Sequence, residues 1–442
     1  MRRMAPWLKF VLPLLMAGLC SAVGASTLLA YYEQALQRDP DFASARALYQ
    51  SDIRSRDLAR SAFLPSINLS ASSDRTQYQR RDLNASTVTS SGFDPSSVAV
   101  RLTQPLFNKD RSAFRRENEL KADRAELVLA QARLDLGLRV VRAYFNYLLT
   151  LDQLALARAQ ADALQAQVTQ LEHLLQSRTT TQTEVADARA RRELAVVQIR
   201  AAQSALEVRK LDFIKLTGEL PSSATVPLGR SPRLLAPEPA DVHAWTKAAM
   251  ESSFKVLAQR ATVQLADVAV DRAKAGFYPQ VSLVASRQRA HNSNYFTSME
   301  QTDALSLQLN MNLFDGFNTR TVVEQSVAQA QKARFDLESA QHDSANAAGQ
   351  AYWEVVNGIE QIRAMELAVA ASELALTGTR MGIKANVKTY ADELNAVQQL
   401  FTTRRDLQKE RYSYLINHAL LQSAVGSTDD APVQVLAALL AP

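Results

Sequence analysis

The chain has 442 residues, of which only 13 are glycine and 14 proline, and a formal charge of +5. So few turn formers over that length imply long regular elements rather than several ordinary globular domains. Arg2, Arg3 and Lys9 contribute three of the charges, leaving about +2 for the rest, which argues against a nucleic-acid binder. The single cysteine, Cys20, leaves no thiol elsewhere for a disulfide, a metal cluster or nucleophilic catalysis.

Residues 1–25 read as a signal peptide: basic Arg2, Arg3 and Lys9, an apolar stretch from Phe10 to Leu19, then small residues up to a cleavage point after Gly24 or Ala25. A lipoprotein acylated at Cys20 would need a small residue where Leu19 stands. Beyond the leader no apolar run reaches the ~20 residues of a membrane helix. Any membrane crossing must therefore use strands.

The remainder is written twice. Leu28 to Ser72 aligns without gaps on Val242 to Ser286, pairing Arg46 with Arg260, Asp57 with Asp271 and Pro65 with Pro279. Further on, Ala188 pairs with Ala396 and Gly218 with Gly426. The reading is a first repeat over 26–220, a proline-rich linker over 221–241, a second repeat over 242–426 and a tail over 427–442. The linker is expected to be extended and exposed.

Each copy has the same order. A helical segment (Leu28 to Ser61; Val242 to Ala275) ends at a proline, and alternating stretches follow. Ile67, Leu69 and Ala71 alternate with polar residues, as do Val98, Val100 and Leu102. The second copy has Val281, Leu283 and Ala285, then Leu305, Leu307, Leu309, Met311 and Leu313. Period two marks strands with one oily and one wet face, so each copy carries a hairpin around a polar loop, Ser73 to Ser97 or Arg287 to Asp303. Next comes a long stretch without proline. Leu154, Ala157, Ala161, Leu164, Val168, Leu171 and Leu175 form a coiled-coil seam, and Val397, Leu400, Leu407, Tyr414 and Leu421 keep a seven-residue beat. Breaks at Ser177 to Thr183 and at Gly382 to Thr389 fold each stretch into a helical hairpin, with Thr183-Glu184 as the expected start of the first returning helix.

Four amphipathic strands cannot close a barrel, and open sheet edges are not tolerated in hydrocarbon. Two copies of the chain would supply eight strands, enough only for a barrel filled by its own side chains. Three supply twelve, enough to begin to enclose water, so the expectation is a homotrimer in outer-membrane lipid. The fold class is mainly α, a long helical coiled-coil barrel, with a transmembrane β-barrel part.

The doubled unit, the Ala-Phe-Leu-Pro and Gly-Phe-Tyr-Pro lead-ins at 62–65 and 276–279, and the closing run Arg411 to Asn417 resemble the TolC family of outer-membrane efflux proteins. The resemblance spans nearly all of the chain after the leader. It implies a twelve-stranded barrel continuing into a twelve-helix periplasmic tunnel that docks on an inner-membrane pump. The run Asn386 to Thr389, then Asp392 to Ala396, is similar to the type I secretion branch. That branch works with an inner-membrane ABC transporter and a periplasmic adaptor, or membrane fusion protein.

The resemblance also implies a constriction where the hairpins turn. Thr183 and Glu184 match the family's Thr-Asp, Lys388 stands where Arg is usual, and Asp392 matches a ring-forming Asp. Asn395 replaces a second Asp and Ile383 a Tyr, departures that imply a looser gate. The repeat itself pairs Glu184 with Asp392, which in a trimer places six carboxylates at one level, a field that attracts cations. The plainer reading is a carboxylate favoured at a helix N-terminus.

The five histidines, at 173, 243, 291, 342 and 418, lack metal-ligand spacing and read as solvated positions. Tyr144-Phe145 and Tyr352-Trp353 read as packing between helices. Arg189-Ala190-Arg191-Arg192 reads as a solvated face. No phosphate-binding loop or catalytic constellation is visible, so no cofactor and no enzyme activity are expected, and energy must come from a partner. Three functions compete: an exit duct for type I protein secretion, the outer component of a multidrug efflux pump, and a periplasmic coiled-coil adaptor without a channel.

Overall fold

The structure is a computed structural model describing residues 23–81, 88–219, 232–294 and 297–426. Most of the expected leader, part of the linker and the tail lie outside the described residues. In chain order there are three helices, α1 (Val23–Arg38), α2 (Pro40–Ile53) and α3 (Ser55–Ser61), then four strands, β1 (Ser66–Ser73), β2 (Thr76–Arg81), β3 (Val88–Phe93) and β4 (Ser96–Phe107). Two long helices follow, α4 (Lys109–Gln176) and α5 (Gln182–Thr217). The second half runs α6 (Val242–Ser252), α7 (Phe254–Lys274), a 3-10 turn at Ala275–Phe277, β5 (Gln280–Asn294), β6 (Thr297–Asn310), α8 (Asn318–Lys384) and α9 (Tyr390–Val425).

The repeats are not separate bodies. One compact unit comprises Leu48–Glu126 with Ala258–Glu338, and the other Met1–Ala47, Leu127–Leu257 and Ser339–Pro442, so each draws on both copies.

The first of these units holds the sheet, in the order β1-β4-β5-β6, antiparallel throughout. Its register confirms the alternation. Ile67 faces Leu102, Leu69 faces Val100 and Ala71 faces Val98. Val281 faces Leu309, Leu283 faces Leu307 and Ala285 faces Leu305. Directly opposed residues share a face, so these pairs merge into one apolar surface. The other face carries Asn68, Ser70, Thr103, Ser286, Ser306 and Gln308. The apolar face is exposed within the chain, and β1 and β6 each leave one edge unpaired.

Two expectations are corrected here. The polar stretches read as loops are largely strand: β5 and β6 stay paired through Arg287 with Asp303 and Arg289 with Gln301, and β2 pairs with β3 as a separate ribbon. A backbone ladder needs no apolar alternation, so strand continuing beyond the oily band reads as loop. Conversely, β6 stops at Asn310, short of Met311 and Leu313, because its partner Gln280 follows Pro279, which has no N–H to extend the ladder.

Helical segments of the same unit are tied by exposed ion pairs. Arg272 of α7 reaches Asp110 at 2.8 Å and Glu117 at 3.1 Å on α4, and Arg56 of α3 reaches Asp123 at 2.9 Å. Exposed pairs contribute about 0–1 kcal/mol each, so they orient these helices more than they stabilise them.

The other unit is built from the helical hairpins. The first seam is buried as expected at Leu154, Ala161, Leu164, Val168 and Leu171, and so are Val397, Leu400, Leu407, Tyr414 and Leu421. Leu164, Val168 and Leu171 of α4, Val185 and Ala188 of α5, Leu376 of α8, and Leu394 and Val397 of α9 form one core. A second core gathers Tyr31, Phe145, Phe213, Trp245, Tyr412 and Leu415. Gly218 and Gly426 close α5 and α9 with φ of +77° and +66°, left-handed caps that a side chain would strain.

The described linker residues 232–241 are mostly exposed and lie outside helix and strand, and the Tyr414 hydroxyl accepts from Leu235 N at 2.8 Å and donates to Leu235 O at 3.0 Å, satisfying backbone that has no ladder. Two readings change here. His418 is buried at 6% exposure, with Tyr414 edge-on to its ring, and desolvation lowers its pKa. Of the matching aromatic pairs, Tyr144, Phe145 and Tyr352 are buried, whereas Trp353 is 53% exposed.

Two further apolar seams are exposed among the described residues: Leu194, Val197, Val208 and Leu211 on α5, and Leu367, Leu374 and Met381 on α8, the last three spaced by sevens. A second copy of the chain is the partner that heptad spacing fits. Leu367→Glu and Leu374→Glu, which leave the buried core untouched, are expected to convert a trimer to monomers in detergent. Light scattering with size-exclusion chromatography reads the mass, and an intact trimer in the double variant refutes this role for the seam.

Candidate functional site

The chemistry-bearing residues lie where the two helical hairpins turn. The two turns have the same geometry, offset by 208 positions. Helix α4 ends in a reversal at Arg178 (φ 59°), and α8 in one at Asn386 (φ 56°). Thr179 N donates to Leu174 O at 2.9 Å, and Val387 N to Gly382 O at 2.8 Å. Asn tolerates this left-handed conformation better than Arg.

Each returning helix starts with a capping box. Thr181 caps α5: its hydroxyl accepts from Glu184 N at 3.3 Å, and its own N–H donates to Glu184 Oε2 at 3.2 Å. Thr389 caps α9 in the same manner, its hydroxyl accepting from Asp392 N at 3.2 Å and its N–H donating to Asp392 Oδ2 at 2.9 Å. The start expected at Thr183-Glu184 is thus corrected to Thr181, because a Thr three residues before a carboxylate satisfies two orphan N–H groups at once. Thr183 falls inside the first turn and is exposed.

The carboxylates are held in their charged form. A hydrogen bond from the Thr180 hydroxyl, aided by the Thr181 N–H, lowers the Glu184 pKa, against a smaller opposing effect of burial. The Thr389 N–H and hydroxyl lower that of Asp392, with help from the Lys388 ammonium. Lys388 is placed by Gly382: a Cβ there would lie 2.7 Å from Lys388 Cγ, so glycine lets the lysine stem fold over the last turn of α8. Among the described residues no hydrogen bond or ion pair joins Lys388 to Thr183 or Glu184.

Asn395, one turn beyond Asp392, accepts from Arg191 Nη1 at 2.9 Å. Arg191 also binds Asp187, Nε to Oδ2 at 3.2 Å, so it bridges α5 and α9 instead of forming a solvated face. Closer to the turns, Arg380 pairs with the buried Glu393 at 2.8 Å, and Arg189 lies 3.0 Å from Glu172. Thr181 and Asp187 were not marked as site residues by sequence reasoning, and Arg191 was read as solvated. The repeat offset could have found the first two, since it pairs Thr181 with Thr389 and Asp187 with Asn395.

Among the described residues no group of three His, Cys, Asp or Glu is placed to hold a metal ion, and no helix is long and apolar enough to cross a membrane.

The outer membrane efflux protein family model matches residues 31–219 and 245–427. The chain is 28% identical to the alkaline protease secretion protein AprF of Pseudomonas aeruginosa, over 99% of this chain and 92% of that protein. It is 27% identical to the outer membrane protein TolC of Vibrio cholerae, over 96% and 97%. Its fold matches the crystal structure of the Vibrio cholerae outer membrane protein VceC with a TM-score of 0.76, at 19% identity, covering 91% of this chain and 96% of that one.

Two measurements check the caps. Thr181→Ala and Thr389→Ala are each expected to lose about 1 kcal/mol of local stability, read as faster amide exchange in the first turns of α5 and α9; unchanged protection means the caps hold nothing. Because the folded pKa values of Glu184 and Asp392 lie below the free values of 4.5 and 3.8, cap stabilisation is complete above that range and is lost as pH falls through the lowered values. Peptides covering both turns should therefore keep their exchange protection at pH 5 and lose it only in stronger acid, after correction for intrinsic exchange.

Proposed function

From the premise that the chain belongs to the outer membrane efflux protein family, we propose that it is the exit duct of a type I protein secretion system, fed by an inner-membrane ABC transporter through a periplasmic adaptor. The protein is an outer-membrane channel of the TolC type, not an enzyme, and channels of this family are homotrimers that work with adaptors and inner-membrane transporters. The sheet explains the channel: its oily face and open edges need lipid and further strands, which a coiled-coil adaptor would not require. The observation that carries the secretion reading is the end-to-end likeness to a protease secretion protein. The likeness to TolC over a similar span supports the second reading, small-molecule efflux. The cargo is chosen upstream, so phenotype decides between them. A deletion strain should lose a protein from the culture supernatant and keep its resistance to dyes and detergents. Sensitivity with an unchanged supernatant favours efflux instead.

The turns are proposed as the periplasmic gate. In the trimer, Thr183, Glu184, Lys388, Asp392 and Asn395 would line or brace the constriction. The caps hold Glu184 and Asp392 ionised, which supports a cation-attracting entrance. Lys388 offers single-point rather than forked contacts, a weaker latch than arginine. Lys388→Ala is expected to raise closed-state conductance in planar bilayers, and unchanged conductance removes Lys388 from the gate.

A further inference from the structure

Across the four strands the oily face of the sheet ends unevenly. Ile67, Leu102, Ala285 and Leu305 lie side by side and are all apolar. In the next row Leu69 and Val100 are joined by Arg287 and Asp303, and in the row after it Ala71 and Val98 are joined by Arg289 and Gln301. Directly opposed residues share a face, so β1 and β4 stay oily for two rows in which β5 and β6 carry polar and charged groups. These rows lie toward the hairpin end of the strands, away from where the helices join them. In an outer-membrane channel with a periplasmic helical tunnel, that end meets the outer leaflet.

The two arginines are braced alike. Arg287 gives Nε to Asp303 Oδ1 at 2.6 Å and Nη2 to Asp303 Oδ2 at 2.9 Å, while Arg289 gives Nε to Gln301 Oε1 at 3.2 Å. Each is thus held on its Nε side by the residue directly opposite on β6, and Nη1 of both has no hydrogen bond among the described residues. Asp303 cancels the charge of Arg287, but the neutral Gln301 cancels nothing. Two arginines against one aspartate leave one positive charge beside Ala71 and Val98. Glu300, the nearby carboxylate of β6, opposes Ala290 and so belongs to the other face. A cation at the edge of hydrocarbon needs a counter-charge, and this row of the sheet supplies none.

On the helix side of the arginines the surface is hollow. Ala285 is small between Leu102 and Leu305, and a shallow depression of about 500 Å³ is lined by Val100, Leu102, Ala285, Arg287, Asp303 and Leu305. We propose that this is a binding site for a phosphate-bearing lipid of the outer leaflet, its headgroup phosphate accepting from the Nη groups of Arg287 and Arg289 and an acyl chain lying in the hollow. Guanidinium matches phosphate in charge and in planar, forked geometry. An apolar floor directly beside a cationic rim fits an amphiphile better than a free anion. Each protomer carries the whole site on β4, β5 and β6, so a trimer has three. The site depends on the outer-membrane sheet alone and is independent of the cargo.

Native mass spectrometry of the detergent-purified trimer, titrated with bis-phosphorylated lipid A, counts the lipids bound; the same lipid without its phosphates, and inorganic phosphate as competitor, distinguish the sources of the anion. The wild type is expected to take up three molecules of lipid A and far less of the phosphate-free form. Arg289→Gln removes the uncancelled charge and should weaken lipid A binding about fivefold, the worth of one arginine at an anionic lipid surface. Asp303→Asn frees the fork of Arg287 and should strengthen binding by a similar factor. Ala285→Leu fills the hollow without changing charge and should weaken it. The same spectra verify that each variant is a trimer, and misfolding would not give Arg289→Gln and Asp303→Asn opposite signs. Equal affinity in wild type and Arg289→Gln, no strengthening in Asp303→Asn, or equal uptake of the phosphate-free lipid overturns the site. If inorganic phosphate displaces the lipid at equal concentration, or Ala285→Leu binds as the wild type does, the arginines hold a free anion and the lipid assignment is refuted.

Discussion

The structure depends on one constraint: backbone N–H and C=O groups in hydrocarbon have no water to turn to. The sheet β1-β4-β5-β6 satisfies its interior ladders but leaves the outer edges of β1 and β6 open, beside a face of Ile67, Leu69, Val100, Leu305, Leu307 and Leu309. In a single chain in water, the oily face would be exposed and the edges would invite aggregation. In lipid, as one of three copies, the face is solvated by hydrocarbon and the edges are paired. The assembly is therefore a condition of this sheet's stability, and the exposed seams on α5 and α8 meet the same requirement among the helices.

Duplication serves that end economically. The two hairpins share a reversal at Arg178 and Asn386, a capping box at Thr181 and Thr389, and, at the far ends of α5 and α9, a left-handed glycine at Gly218 and Gly426. These are features that begin and end helices, where orphan backbone groups must find partners. Between them the copies diverge freely. Val185 corresponds to the buried, paired Glu393, and Asp187 to the neutral Asn395. What recurs is what terminates each helix, and what varies is what faces its neighbours.

The architecture was legible in the sequence because its signals are periodic and long. Period two over Leu305 to Leu309 and sevens over Val397 to Leu421 name element type and buried face without further information. Boundaries were less legible. The strands beyond Arg287 and Asp303 carry no oily alternation, since they lie past the apolar band, and Pro279 silently shortens β6 through its partner. The site was legible only as a region. Glu184 and Asp392 stood out, but that both are tied into local caps depends on a threonine three residues earlier rather than on the carboxylate itself. His418 and Arg191 were misread for the same reason: a polar residue on a long helix reads as solvated until the helix packed against it is known.

The caps also bear on how charge is kept at the turns. A ring of carboxylates around an axis opposes its own ionisation, because like charges at one level raise one another's pKa. Threonine donors act in the other direction at both Glu184 and Asp392, so each carboxylate enters the trimer with its ionised form already favoured. The reading as helix-capping residues and the proposed electrostatic ring are therefore compatible: the local hydrogen bonds that start α5 and α9 favour the ionised carboxylates that such a ring would need. At Asn395 no such donor pair exists. The one donor present is Arg191, a full positive charge, which a neutral amide accepts while leaving the guanidinium's charge uncancelled on that side. One turn beyond Asp392, the Arg191–Asp187 ion pair and the neutral Asn395 add no net charge to that of the caps.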